Sequence, residues 1–228
     1  MVRHIYMRAI RGWACVLAAG LALSGPLGGA DPSLNQVLSS IELRYNKLAT
    51  LRIDFEQTLS YFGRQPRVER GTLSLRRPQM MHWDYSTPEG KLLVGDGDLL
   101  HLYDPLTNQV RRVDLTRATD LRAPLAFLLG RLNFRRQFRN LGFEDIGGRR
   151  VLVGEGQPGR DPYGRVEFTY DPATYRIEHI RVVGQDEAVT TFAFRNETVN
   201  LPLDTSLFTF EAPPGAQMMD ESPERGGQ

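Results

Sequence analysis

Gly154-x-Gly156-x-x-Gly159 follows the apolar run Val151 to Val153 and imitates the glycine fingerprint that cradles a dinucleotide pyrophosphate. That chemistry needs a helix directly afterwards, whose N-terminus faces the phosphates. Arg160-Asp161-Pro162-Tyr163-Gly164 follows instead, a turn sequence, so the glycines read as a hairpin loop. His82, His101 and His179 offer imidazoles to a metal but lie on separate strand-like segments without paired-ligand spacing. The serines form no nucleophile elbow and the carboxylates scatter through turns and strand edges, so no catalytic residue, metal or cofactor is expected, and no enzyme. Asn196-Glu197-Thr198 fits the glycosylation sequon, a pattern too short to be assigned a role.

Arg131, Arg135, Arg136 and Arg139, interleaved with Phe134 and Phe138, form the one marked basic cluster. Its plain reading is a solvated helix face over two buried aromatics. The functional alternative is contact with anionic headgroups or with an acidic patch on a membrane partner. At the N-terminus, Arg3, Arg8 and Arg11 precede a short apolar run, Trp13 to Leu23, which leads to Gly28-Gly29-Ala30. That is the anatomy of a secretory signal peptide spanning residues 1–30 and cleaved after Ala30. The apolar run falls well short of the roughly 20 residues that cross a bilayer.

Cys15 is the single cysteine of the chain and lies in that leader, so residues 31–228 must hold together without a disulfide and carry no thiol nucleophile. Loss of three arginines and no acid takes the formal charge from +1 to −2. A near-neutral chain argues against nucleic acid as partner, because such binding rests on neutralising phosphates. The remaining length suits one domain, expected over 31–215, with a flexible tail over 216–228.

The elements that position these residues are strands with one helix ahead of them. Asp31 as N-cap and Pro32 at the first helical position predict a helix start. Leu34, Val37, Leu38, Ile41, Tyr45 and Leu48 then recur at helical spacing along one face, which must be buried. Leu51, Ile53 and Phe55 alternate with Arg52, Asp54 and Glu56, and Met81, Trp83 and Tyr85 alternate with His82 and Asp84, the period of half-buried strands. Asp96-Gly97 between two apolar runs predicts a tight hairpin. A short helix is expected around Pro124 to Leu129. Strands then resume at Val151 to Val153, Val166 to Tyr170, Tyr175 to Val183 and Val189 to Arg195, with turns at Asp171-Pro172 and Gly184-Gln185-Asp186. The fold class is mostly β with helices (α+β): one large curved antiparallel sheet with helices against its concave face.

Gly71-x-Leu73-x-x-x-Arg77-Pro78, Trp83-x-Tyr85, Asp96-Gly97, Tyr103-Asp104-Pro105, Pro124-Leu-Ala-Phe-Leu-Leu and Phe208-x-Phe210-x-x-Pro213-Pro214-Gly215 occur in an order and spacing that resembles the periplasmic outer-membrane lipoprotein carrier family, LolA. The resemblance runs from about Asp31 to Gly215. It implies an unclosed β-barrel covered by a lid of short helices, periplasmic localisation, and a chaperone whose apolar cavity shelters acyl chains during lipoprotein transport. It further implies that acylated lipoproteins arrive from an inner-membrane ABC-type release complex and leave to an outer-membrane acceptor, with the carrier acting as a monomer. Candidate wall residues of the cavity are Phe55, Leu73, Leu75, Met81, Trp83 and Tyr85. Met81 departs from the aromatic that many family members place two residues before the tryptophan. Arg77 matches the arginine that holds the lid helices to the barrel mouth; without the resemblance it reads as a solvated strand-end residue like Arg76. A lipid-sensing regulator on the same half-barrel, or a carrier of another amphiphile such as a glycolipid or isoprenoid, are the alternatives.

Overall fold

A computed structural model describes residues 31–114 and 132–220. The leader over 1–30, the helix expected at Pro124 to Leu129, Arg131 and the last eight residues of the tail lie outside these. Helix α1 spans Leu34–Asn46. It is followed by β1 (Thr50–Ser60), β2 (Arg67–Arg76), β3 (Met80–Thr87), β4 (Glu89–Asp96), β5 (Leu99–Asp104) and β6 (Gln109–Asp114). A single-turn helix α2 (Phe134–Gln137) leads to β7 (Arg139–Ile146), β8 (Arg149–Glu155), β9 (Tyr163–Tyr170), β10 (Ile177–Gly184) and β11 (Val189–Val199). A 3-10 turn (Thr205–Phe208) and the four-residue β12 (Gln217–Asp220) complete the described residues.

Among the described residues all strands belong to one curved sheet in the order β12-β6-β5-β4-β3-β2-β1-β11-β10-β9-β8-β7, unclosed because β12 and β7 remain its edges. Its long meander follows from the turns. At Asp96-Gly97, Gly97 takes φ +113° and the Asp96 carboxylate accepts from the backbone N–H groups of Asp98 (2.9 Å) and Leu99 (2.8 Å), so β4 and β5 pair antiparallel as the dipeptide predicts.

Four differences from the sequence expectation have local causes. The helix begins two residues later than Asp31-Pro32 implies, because Ser33 forms a capping box with Gln36: the Gln36 N–H donates to Ser33 Oγ and the Ser33 N–H to Gln36 Oε1 (2.8 Å). Strand β7 was not anticipated, since its Arg, Asn, Glu and Asp residues belong to a solvated edge rather than an apolar run. The expected tail from 216 onward opens with β12, which pairs with β6 from Gln217↔Gln109 to Asp220↔Arg112. That pair is parallel, so the sheet is antiparallel everywhere except at this edge.

The core lies on the concave face. Val37, Leu38, Ile41 and Tyr45 of α1 join Leu51, Ile53 and Phe55 of β1, Leu73 and Leu75 of β2 and the inward residues of β8 to β11 in one apolar cluster. Phe134 and Phe138 are buried in it while Arg135 and Arg136 stay exposed, the plain reading of the basic segment. On the other face, the C-terminal segment covers His82 and His101, the latter stacked on Phe210 at 4.8 Å. The glycines of the fingerprint-like run serve packing: a Cβ at Gly156 would stand 2.2 Å from the Tyr163 carbonyl and one at Gly154 2.8 Å from Phe138. No helix follows them before β9.

Candidate functional site

Strand parity brings the candidate wall residues together. Leu51↔Leu75, Ile53↔Leu73 and Phe55↔Gly71 pair between β1 and β2, and Leu73↔Trp83, Leu75↔Met81 and Gly71↔Tyr85 between β2 and β3. Phe55, Leu73, Leu75, Met81, Trp83 and Tyr85 therefore share the concave face, and none is more than 6% exposed. Gly71 is the pivot of this group. A Cβ there would stand 2.1 Å from the Asp84 carbonyl, so no other residue fits. Its bare position lets the Phe55 ring reach across β2 to Trp83 (4.7 Å, edge-on) and Tyr85 (5.1 Å, edge-on). Met81 fills the space beside Gly95, whose Cβ would approach its Cγ to 3.0 Å, a fit that a flexible thioether tolerates.

Arg77 sits just beyond β2 and its guanidinium donates to the backbone carbonyl of Tyr45, in the last turn of α1. Its own N–H donates to the Ala49 carbonyl (3.0 Å). A cation suits that helix end, where carbonyls lack intrahelical partners. Burial presses the Arg77 pKa downward from the usual arginine value, but a guanidinium keeps its proton. Beneath it is a small hollow lined by Tyr45, Leu48, Leu51, Leu75 and Arg77.

From the opposite side the same turn of α1 is tied to β10 and β11. The Tyr45 hydroxyl donates to Glu197 Oε2 (3.0 Å) and accepts from the Ile177 N–H (2.9 Å), while Arg44 pairs with Glu197 Oε1. The Glu197 side chain is only 2% exposed. Burial, then the neighbouring Glu197 charge, raise the Tyr45 pKa above its ordinary value, which keeps the hydroxyl a donor. Helix α1 is also fastened to the segment that carries α2. Asn46 exchanges two hydrogen bonds with the backbone of Leu132 (2.8 and 2.9 Å), and Glu42 accepts from the Phe134 N–H (2.8 Å).

A second polar group lies toward the other end of the concave face. Glu69 shares the inward parity of Leu73 and Leu75 and is 2% exposed, with Lys91 at 2.7 Å and Arg67 at 3.0 Å. The Lys91 ammonium also rests 4.4 Å from the centre of the Tyr85 ring. Burial first, then Glu69, raise the Tyr85 pKa.

Sequence reasoning missed Glu69, Lys91, Tyr45, Arg44 and Glu197 as polar members of this face. Glu69 was detectable, because a charge at inward parity is itself the signal. Glu197 was not: a bulge at Asn196 (φ +54°), where β11 spends one residue more than β1 between Asp54↔Arg195 and Arg52↔Thr198, reverses the parity set by Phe192 and Phe194.

The profile of the family described as "Outer membrane lipoprotein carrier protein LolA" matches residues 46–211. An outer-membrane lipoprotein carrier protein of Chromohalobacter salexigens is 31% identical over 225 residues, covering 94% of this chain and 99% of the relative. One from Pseudomonas aeruginosa is 27% identical over 217 residues, covering 94% of this chain and all of the relative. Among solved structures, an uncharacterised conserved protein of Thermus thermophilus covers 83% of this chain and 99% of its own, with a TM-score of 0.51 at 13% identity, a likeness of fold.

Proposed function

Because the chain belongs to the outer-membrane lipoprotein carrier family, we propose that it is a periplasmic carrier that shelters the acyl chains of lipoproteins on its concave face and moves them toward the outer membrane. The observation that carries this reading is the continuous apolar surface from Leu51 to Tyr85, covered by a helix that is held at its last turn by a few polar contacts. Each buried methylene of an acyl chain is worth about 0.8 kcal/mol, so a chain of roughly 16 carbons needs on the order of 13 kcal/mol of shelter. The four buried side chains of α1 are worth roughly 6 to 12 kcal/mol together. Exchange of α1 for a chain is thus near balance, which suits a protein that must both load and release.

In this reading Arg77 is the latch of α1, and Phe55, Leu73, Leu75, Met81, Trp83 and Tyr85 form the wall that acyl chains meet. Residues 1–30 are a signal peptide removed after Ala30, 31–215 form the carrier domain, and 216–228 are its C-terminal tail. An inner-membrane ABC-type complex supplies the lipoprotein and an outer-membrane acceptor takes it. The carrier itself catalyses no reaction.

Native mass spectrometry of the protein recovered from the periplasm without detergent tests the reading, for wild type and Arg77→Leu. Acylated lipoprotein bound one to one and enriched in the variant is expected. Absence of any acylated ligand in both would overturn the carrier, whereas equal occupancy in both would remove the latch alone.

A further inference from the structure

Among the described residues, the concave face holds a polar atom that the chain leaves without a use. Trp83 is 2% exposed, and its indole Nε1–H is buried without a hydrogen-bond partner among the described residues. Around the ring stand Phe55, Tyr85 and Phe192, with centroids at 4.7, 6.5 and 6.0 Å. Of the other buried polar atoms without partners, Gln137 Oε1 is an acceptor rather than a donor, and the rest belong to side chains that spend a different atom elsewhere: Arg44 holds Glu197 and Arg176 holds Glu178, and His82 and His101 each engage a backbone group. Trp83 has a single polar atom, so its whole hydrogen-bonding capacity is unspent. An unpaired buried donor is costly, and phenylalanine would fill an apolar wall without that cost.

We propose that the Trp83 Nε1–H donates to the ester or amide carbonyl that joins an acyl chain to its head, so that the site selects acyl-linked amphiphiles rather than hydrocarbon as such. The inference rests on the carrier reading and narrows its ligand class. A methylene chain brings no acceptor into the apolar interior; the carbonyl at its head is the first oxygen it carries. An isoprenoid tail presents no carbonyl there, and an ether-linked alkyl chain presents only its ether oxygen, a weaker acceptor, so neither satisfies the indole as a carbonyl does. The site thereby separates two classes of amphiphile that apolar contact alone treats alike.

The full chain contains two tryptophans, Trp13 and Trp83, so the indole resonance missing from Trp83→Phe identifies Trp83 in a nitrogen-15 NMR spectrum. The probes are a palmitoyl ester and its hexadecyl ether analogue of equal chain length. The ester is expected to move the Trp83 indole proton downfield and to bind about 10-fold tighter than the ether, a single buried hydrogen bond's worth. In Trp83→Phe the two should bind alike, because the ester loses its advantage over the ether. Equal binding of ester and ether to wild type with an unmoved indole resonance would overturn the assignment and leave the carrier standing. Failure of both probes to bind wild type would overturn the carrier reading and this inference together.

Discussion

Two buried carboxylates bracket the concave face, and they are built from the same parts to different ends. Glu197 meets an arginine and a tyrosine that both belong to α1, so its bonds join a helix to the sheet. Glu69 meets Arg67 and Lys91, beside Tyr85, and all of these belong to β2, β3 and β4, so its bonds join the sheet to itself. Under the proposed exchange the first cluster would break as α1 leaves, whereas the second would survive any movement of the helix. Chemistry alone therefore does not mark which contact joins the helix to the sheet. The element to which each partner is attached does.

The sharpest way to break this comparison is to neutralise each carboxylate in turn. Glu69→Gln strands the nearly buried Lys91 and should cost about 3 kcal/mol of unfolding free energy by urea titration, without singling out α1 in hydrogen exchange. The double variant Glu69→Leu, Lys91→Met should recover most of that loss, since an apolar pair needs no desolvation. Glu197→Gln should cost less, about 2 kcal/mol, because Arg44 is 30% exposed and water compensates it. Its amide exchange should accelerate selectively over Leu34–Asn46. If both variants loosened α1 equally, the distinction between the two clusters would be lost.

Smaller effects sharpen the helix side. Arg77→Leu removes one charged donor from the Tyr45 carbonyl and should cost about 1.5 kcal/mol, again with faster exchange at the end of α1. Ser33→Ala removes the N-cap acceptor and should cost about 1 kcal/mol, with exchange rising at the first turn instead. Opposite ends of one helix would then report two separate fastenings.

Most of the sheet was legible because its signals are local. The alternation around Ile53, Phe55, Met81 and Trp83 names the inward face, and Asp96-Gly97 names its own turn. That the six candidate wall residues share one buried face followed from that parity. The features that escaped depend on pairing between distant residues. Edge strand β12 is four residues long and exists through its partner β6. Glu197 turns toward α1 through a bulge that no neighbouring residue type announces. The unspent indole of Trp83 is a property of surroundings drawn from β1, β3 and β11, invisible until those strands are side by side.

An unclosed sheet keeps two edges, and each is a template on which a foreign strand can grow. Both are blunted here. Along β7, Arg139, Glu144 and Asp145 line an outer strand whose register breaks between Arg139 and Gly142, with Asn140 at φ +46°. Along β6 the chain seats its own β12, exposed and held by Arg112 and Asp220 at 2.8 Å. Four residues add almost nothing to the core, yet they occupy the hydrogen-bonding row that neighbouring copies would otherwise compete for. The barrel can thus stay open without becoming the seed of a fibre.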